Sequence, residues 1–165
     1  MAAAQRGDPA AMNQLMAELA PWVRRICGSI ALDRGPDAMQ ETFIIVLRNL
    51  VTLREPAALR AWVRRIAVRE SLRVLRAERD LAVADVAALA ESVGLAPAAG
   101  ADNVTAIDVR DTLAALSPVQ RAVLVLRHVE DLTEKETADV LHVEPGTVKS
   151  RSHRAALAFR RRWQP

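Results

Sequence analysis

The chain has 165 residues, room for one domain or two small ones. Six glycines, eight prolines and 26% charged residues exclude a fibrous or low-complexity chain, and no run approaches the roughly 20 apolar residues of a membrane helix. A single cysteine, Cys27, excludes an internal disulfide framework and a multi-cysteine metal site, and Met1 to Pro9 lacks the apolar core of a signal peptide. The expectation is a cytoplasmic protein that needs no cofactor and no metal.

Leucine, arginine and 31 alanines dominate, and all three favour helix. An all-α protein is expected. The first helix starts after Gly7, with Asp8 as N-cap and Pro9 at the first helical position. Leu15, Leu19, Trp22, Val23 and Ile26 share a face, and Pro21 should kink or break the helix. Gly28 to Pro36 reads as a loop. A second helix runs from about Pro36-Asp37 to Leu50, with Met39, Phe43, Val46, Leu47 and Leu50 as its apolar stripe. Glu55-Pro56 opens a third, which continues to about Arg79 and carries Leu59, Trp62, Val63, Ile66, Leu72 and Leu75. Residues 81–106 are rich in Ala, Val, Gly and Pro and read as a flexible linker, with one helical turn around Val83–Leu89. A helix from about Ile107 to Ala115 follows. Ser117-Pro118 starts the next, to about His128. Thr133 and Glu136 fit a capping box for a helix ending near Leu141, and Pro145 opens the last.

Charge follows these divisions. Of 23 basic residues 21 are arginine, the side chain suited to planar contacts with phosphates and guanine edges. Residues 1–80 carry 13 basic and 9 acidic groups, residues 81–109 only four acidic ones, and residues 110–165 carry 10 basic and 7 acidic. Two basic blocks flank an acidic middle. The expected organisation is a helical domain at 1–80, an acidic linker at 81–106 and a second helical domain at 107–165.

Thr133 to Arg154 has the pattern of a helix-turn-helix. Ala138 is small enough for a close helix crossing, and Val140 or Leu141, Val143 and Val148 are the apolar positions that lock the second helix on the first. The second helix then presents Thr147, Lys149, Ser150, Arg151, His153 and Arg154 to DNA. From Lys149 to Arg162 there are six basic residues and no acidic one. Pro145-Gly146-Thr147 lets a phosphate approach the backbone at the helix start.

Leu116-Ser117-Pro118-Val119-Gln120-Arg121, Leu132-Thr133, Glu136-Thr137-Ala138 and Gly146-Thr147-Val148-Lys149-Ser150-Arg151 together resemble the C-terminal promoter-binding domain of extracytoplasmic-function sigma factors. Gly7-Asp8-Pro9-Ala10-Ala11, Asp37 to Phe43 and Ala61 to Ala67 resemble the family's other domain. The resemblance covers nearly the whole chain, in the same order. It implies a dissociable subunit of bacterial RNA polymerase with no catalysis of its own. Asp37, Gln40 and Glu41 match the segment that docks on the beta-prime clamp of the core, and the C-terminal domain matches the one that docks on the beta flap and reads the minus-35 element. The third helix matches the segment that opens the minus-ten element. Trp62, Arg65, Arg69, Arg73 and Arg76 are its candidates there, since displaced single-stranded DNA needs a basic groove and a stacking surface. A tryptophan on an apolar stripe, as Trp62 is, more often belongs to the core. Promoter DNA is the second partner. Many members are held inactive by an anti-sigma protein, so such a partner belongs to what the resemblance implies. No membrane contact of its own is expected.

The chain departs from the family pattern at Arg69, where asparagine is usual, at His142, often glycine, and at Glu144, usually serine. A glutamate there caps a helix poorly and repels phosphate. Besides a sigma-like adaptor that has lost the ability to open DNA, two rival readings stand on the residues. Catalysis by Cys27 with His128, His142 or His153 meets a cysteine in an apolar helical segment, where a thiol is usually filler. No phosphate-binding GxxxxGK[ST] or GxGxxG loop exists. An ordinary helix-turn-helix regulator, binding duplex DNA as a dimer without polymerase, is the second.

Overall fold

Asp8-Pro9 and Ser117-Pro118 each start a helix with a short polar N-cap followed by proline at the first helical position. The computed structural model describes residues 1–88 and 104–162, with side chains at 1–78 and 109–161. It is all-α, with no strand among the described residues. A short helix α1 (Ala2–Gln5) precedes α2 (Pro9–Ala31), where the Asp8 carboxylate accepts from the Ala11 amide at 2.8 Å. The Gln5 side chain donates to the Leu50 and Leu53 carbonyls at 3.1 and 2.7 Å, pinning α1 to the far end of α3 (Gly35–Asn49). Helix α4 (Leu59–Ala88) follows a 3-10 turn at Pro56–Ala58. In the second half lie α5 (Val104–Ala114), α6 (Pro118–Leu124), a π-helical turn at Val125–Val129, α7 (Glu134–Leu141) and α8 (Pro145–Arg162).

Three expectations change. Helix α2 runs through Pro21 as a single element. Proline removes one backbone donor, but Trp22, Val23, Ile26 and Ile30 bury the helix just beyond it. Gly28 to Pro36 is no loop: α2 continues to Ala31, a 3-10 turn spans Leu32–Arg34, and α3 starts at Gly35. The glycines serve a close helix contact instead. A Cβ on Gly35 would lie 2.8 Å from the Gly28 Cα, a backbone atom that cannot yield. Finally, helix enters both ends of the segment read as linker, since α4 reaches Ala88 and α5 starts at Val104. Its alanine and leucine content favours this. The rest of that linker, residues 89–103, lies outside the described residues.

Helices α2, α3 and α4 pack on one another, and α6, α7 and α8 form a second group. Val23, Ile26, Cys27, Ile30, Val46, Leu50, Val63 and Ala67 are the heart of the first. Val123, Ala138 and Val148 centre the second, so the small Ala138 does sit at the helix crossing. The groups are not separate in space. Ala122, Val125, Leu126 and Leu132 join the core of the first group, and Val140 and Leu141 pack against it. Leu47, expected on the α3 stripe, is 47% exposed.

Candidate nucleic-acid interface

The helix-turn-helix is built from two caps and one strained turn. The Thr133 hydroxyl accepts from the Glu136 amide at 3.2 Å, and the Glu136 carboxylate accepts from the Thr133 amide at 2.8 Å. Hydrogen bonds from the Thr133 hydroxyl and backbone hold the Glu136 carboxyl below its usual range. The matching box at Ser117 and Gln120 starts α6. Between α7 and α8, His142 stands in the left-handed region at φ 52°, which glycine adopts freely and other residues at a cost. Here the family's usual glycine would relieve the backbone.

On α8, Lys149, Ser150, His153 and Arg154 are exposed, while Thr147 and Arg151 are half-buried. Arg154 Nε donates to the Ser150 carbonyl at 3.2 Å, and Ser150 Oγ to the Thr147 carbonyl at 3.0 Å. A Cβ on Gly146 would meet nothing within 4 Å, so the backbone there is open to a ligand. Thr147 and Arg151 line a cleft of about 720 Å³ with Arg65 of α4, Ala138, Asp139, His142, Val143 and Glu144. The structure thus brings Arg65 beside α8.

The other candidates on α4 form a basic ridge. Arg69 and Arg73 are 63% and 51% exposed in their side chains, and both bind the buried carboxylate of Glu70. Arg69 Nε is 3.0 Å from it. Arg73 also reaches Glu41 at 3.3 Å. Arg76 is exposed and shares a groove with Arg69, Arg73, Val140 and Leu141. Trp62 is half-buried against the core. Of the α3 candidates, Gln40 and Asp37 are exposed, and Asp37 pairs with Arg34 at 3.1 Å. Asp37 and Gln40 therefore lie apart from the recognition helix, while Glu41 touches the ridge.

Sequence reasoning missed the contact of Trp22 with Glu130, and placed Arg64 only among the basic residues of the third helix. Trp22 was read only as core. Its indole is 8% exposed, with the Arg60 and Arg64 guanidiniums 5.3 and 5.9 Å from the ring centre. Its N–H donates to Glu130, which lies 108 residues away. No local pattern could have found that pair. Cys27 is fully buried, and desolvation pushes its thiol pKa up, contrary to what a nucleophile needs. Among the described residues no cluster of ligating side chains could hold a metal ion, and no helix is long and apolar enough to cross a membrane.

Residues 15–80 match the family described as Sigma-70 region 2, and residues 106–158 the one described as Sigma-70, region 4. The ECF RNA polymerase sigma factor SigM of Mycobacterium tuberculosis (strain ATCC 25618 / H37Rv) is 32% identical over 98% of this chain and 81% of its own. The RNA polymerase sigma factor SigV of Bacillus subtilis (strain 168) is 27% identical over 78% of this chain and 75% of its own. The sigma factor RpoE of Bartonella quintana, solved in complex with the anti-sigma factor NepR, has the same fold. Its TM-score is 0.69 at 24% identity, over 92% of this chain and 96% of that one.

Proposed function

The chain belongs to the extracytoplasmic-function sigma factors, and we propose that it binds the RNA polymerase core and directs promoter-specific initiation of transcription. Residues 1–80 dock on the core and open the minus-ten element, residues 107–165 bind the minus-35 element, and residues 81–106 connect the two. Asp37, Gln40 and Glu41 on α3 offer carboxylates and an amide to a basic clamp. The ridge of Arg65, Arg69, Arg73 and Arg76 tracks the backbone of the displaced strand, with Trp62 at its base. Thr147, Lys149, Ser150, Arg151, His153 and Arg154 reach the upstream element. The protein supplies no chemistry; the polymerase joins nucleotides. It works in the cytoplasm. An anti-sigma factor, the partner class of its Bartonella relative, is the regulator we assign to it.

One observation carries this reading: α8 is held across α7 at the Ala138–Val148 contact, and its sequence from Lys149 to Arg162 has six basic and no acidic residues. A basic run with no acidic residue is the electrostatic footprint of a nucleic-acid surface. Arg151 and Arg154 are three apart and share a side of α8. Their joint change to alanine should weaken promoter binding by about 1–3 kcal/mol per arginine that reaches a base edge. Core binding should survive. Fluorescence anisotropy with promoter duplex and pull-down with core measure the two effects, and undiminished promoter binding would remove α8 from the interface.

A further inference from the structure

Glu70 of α4 is buried, and each oxygen of its carboxylate holds one arginine. Oε1 accepts from Arg69 Nε at 3.0 Å, and Oε2 accepts from Arg73 Nε. The Glu70 side chain is 4% exposed, whereas both arginines reach solvent. A carboxylate is buried at a cost unless charged partners hold it, so the three side chains fix one another. The two arginines are not equivalent. Arg73 gives Nη2 to Glu41 as well, at 3.3 Å. Arg69 has no second carboxylate, and both of its Nη groups are without a partner among the described residues. Arg69, Leu72, Arg73 and Arg76 recur at helical spacing and line one groove, where Leu72 gives apolar surface. Arg65 and Arg76, by contrast, form no ion pair among the described residues.

We propose that Arg69 reads a guanine in the displaced strand, and that Glu70 is the positioning residue that aims it. Glu41, Glu70, Arg69 and Arg73 together carry no net charge, so they attract a phosphate backbone weakly. Arg65 and Arg76 keep their whole charge for phosphates. Phosphate contacts set register, and contacts to base edges specify sequence. What Arg69 offers is direction. With Nε on Glu70, its two Nη groups form a fork of donors, the arrangement that pairs with O6 and N7 of guanine. That edge carries two acceptors side by side; adenine and cytosine place a donor there, and thymine has a single acceptor. An unstacked base exposes this edge and leaves its face for Leu72. Holding the fork before the base arrives removes part of the ordering cost of binding. The inference rests on the promoter reading above, which makes α4 the strand-binding helix.

Fluorescence anisotropy with the full-length chain at low salt compares short thymine strands carrying one central guanine, adenine or 7-deazaguanine. The parent should bind the guanine strand about tenfold more tightly than the adenine strand, the low end of what one bidentate pair contributes. Replacing N7 by carbon should remove most of that preference. Arg69→Lys keeps the charge and loses the fork, so the guanine and adenine strands should bind it alike. Glu70→Gln removes the charge that fixes the fork. Its guanine preference should fall to about twofold, while its binding to the adenine strand should not weaken, since a negative charge is gone. A merely structural role for Glu70 would weaken both strands together. The 7-deazaguanine strand and Arg69→Lys test the readout even where circular dichroism shows Glu70→Gln unfolded. A parent without guanine preference, or one that binds neither strand, would overturn the readout, and full preference in a folded Glu70→Gln would overturn the positioning. Transcription with core tests the promoter reading separately: promoter-dependent initiation by a chain indifferent to guanine would overturn this inference and leave that reading standing.

Discussion

Thr137 is fully buried on α7, and its hydroxyl has no hydrogen-bond partner among the described residues. A buried hydroxyl left in that state costs free energy, whereas an apolar group of the same shape does not. Thr137→Val should therefore raise unfolding free energy by about 1 kcal/mol. Chemical denaturation checks this, and a lower midpoint would mean that the hydroxyl finds a partner in solution. Glu130 is the opposite case, a buried carboxylate with three donor groups. Both were invisible in the sequence for the same reason. Nothing local distinguishes a glutamate bound to a residue 108 positions away from a solvated one. Arg121 is similar: it sits in a motif that names the family, but its burial and its bond to Ile30 depend on how α6 meets α2. His142 was legible, because a turn that favours glycine predicts the positive φ that the structure holds.

At the scale of elements, what could be read was what local chemistry decides. Asp8 with Pro9, Ser117 with Pro118 and Thr133 with Glu136 start helices through hydrogen bonds spanning three residues, and all three are formed. Gly28 and Gly35 misled because glycine serves loops and close helix contacts alike, and only packing decides between them. The α7 cap gives a pH-dependent prediction. The Glu136 carboxyl lies below its ordinary range when folded, so its contribution is complete above the usual glutamate titration and is lost as pH falls through the lowered value. Removing an N-cap threonine costs about 1 kcal/mol. Thr133→Ala should show that loss near neutrality and a smaller one at acid pH; thermal melts across pH measure it, and an equal loss at every pH would uncouple the cap from Glu136. On α3, Asp37→Arg with Glu41→Arg reverses the charge proposed to face a basic clamp and removes the Arg34–Asp37 and Arg73–Glu41 pairs, leaving Arg73 on Glu70. Like charges at an interface cost several kcal/mol. Core affinity should fall with the circular dichroism spectrum intact, and parent-like affinity would place the clamp contact elsewhere.

Taken whole, the molecule is two helical groups closed over a shared apolar contact, with basic faces on α4 and α8. The two groups were foreseen from motif order and charge. Their contact was not, because Ala122, Val125, Leu126 and Leu132 look like ordinary core of their own helices until α2 and α4 are seen beside them. A sigma factor is defined by the initiation that it confers on the core polymerase. The direct test is transcription by purified core polymerase on a library of promoter fragments, with and without the full-length chain. The account predicts transcripts with defined start sites that depend on the chain and diminish when Arg151 and Arg154 are changed to alanine. A chain that binds duplex DNA as a dimer, and leaves core polymerase unable to initiate at any fragment, would contradict it.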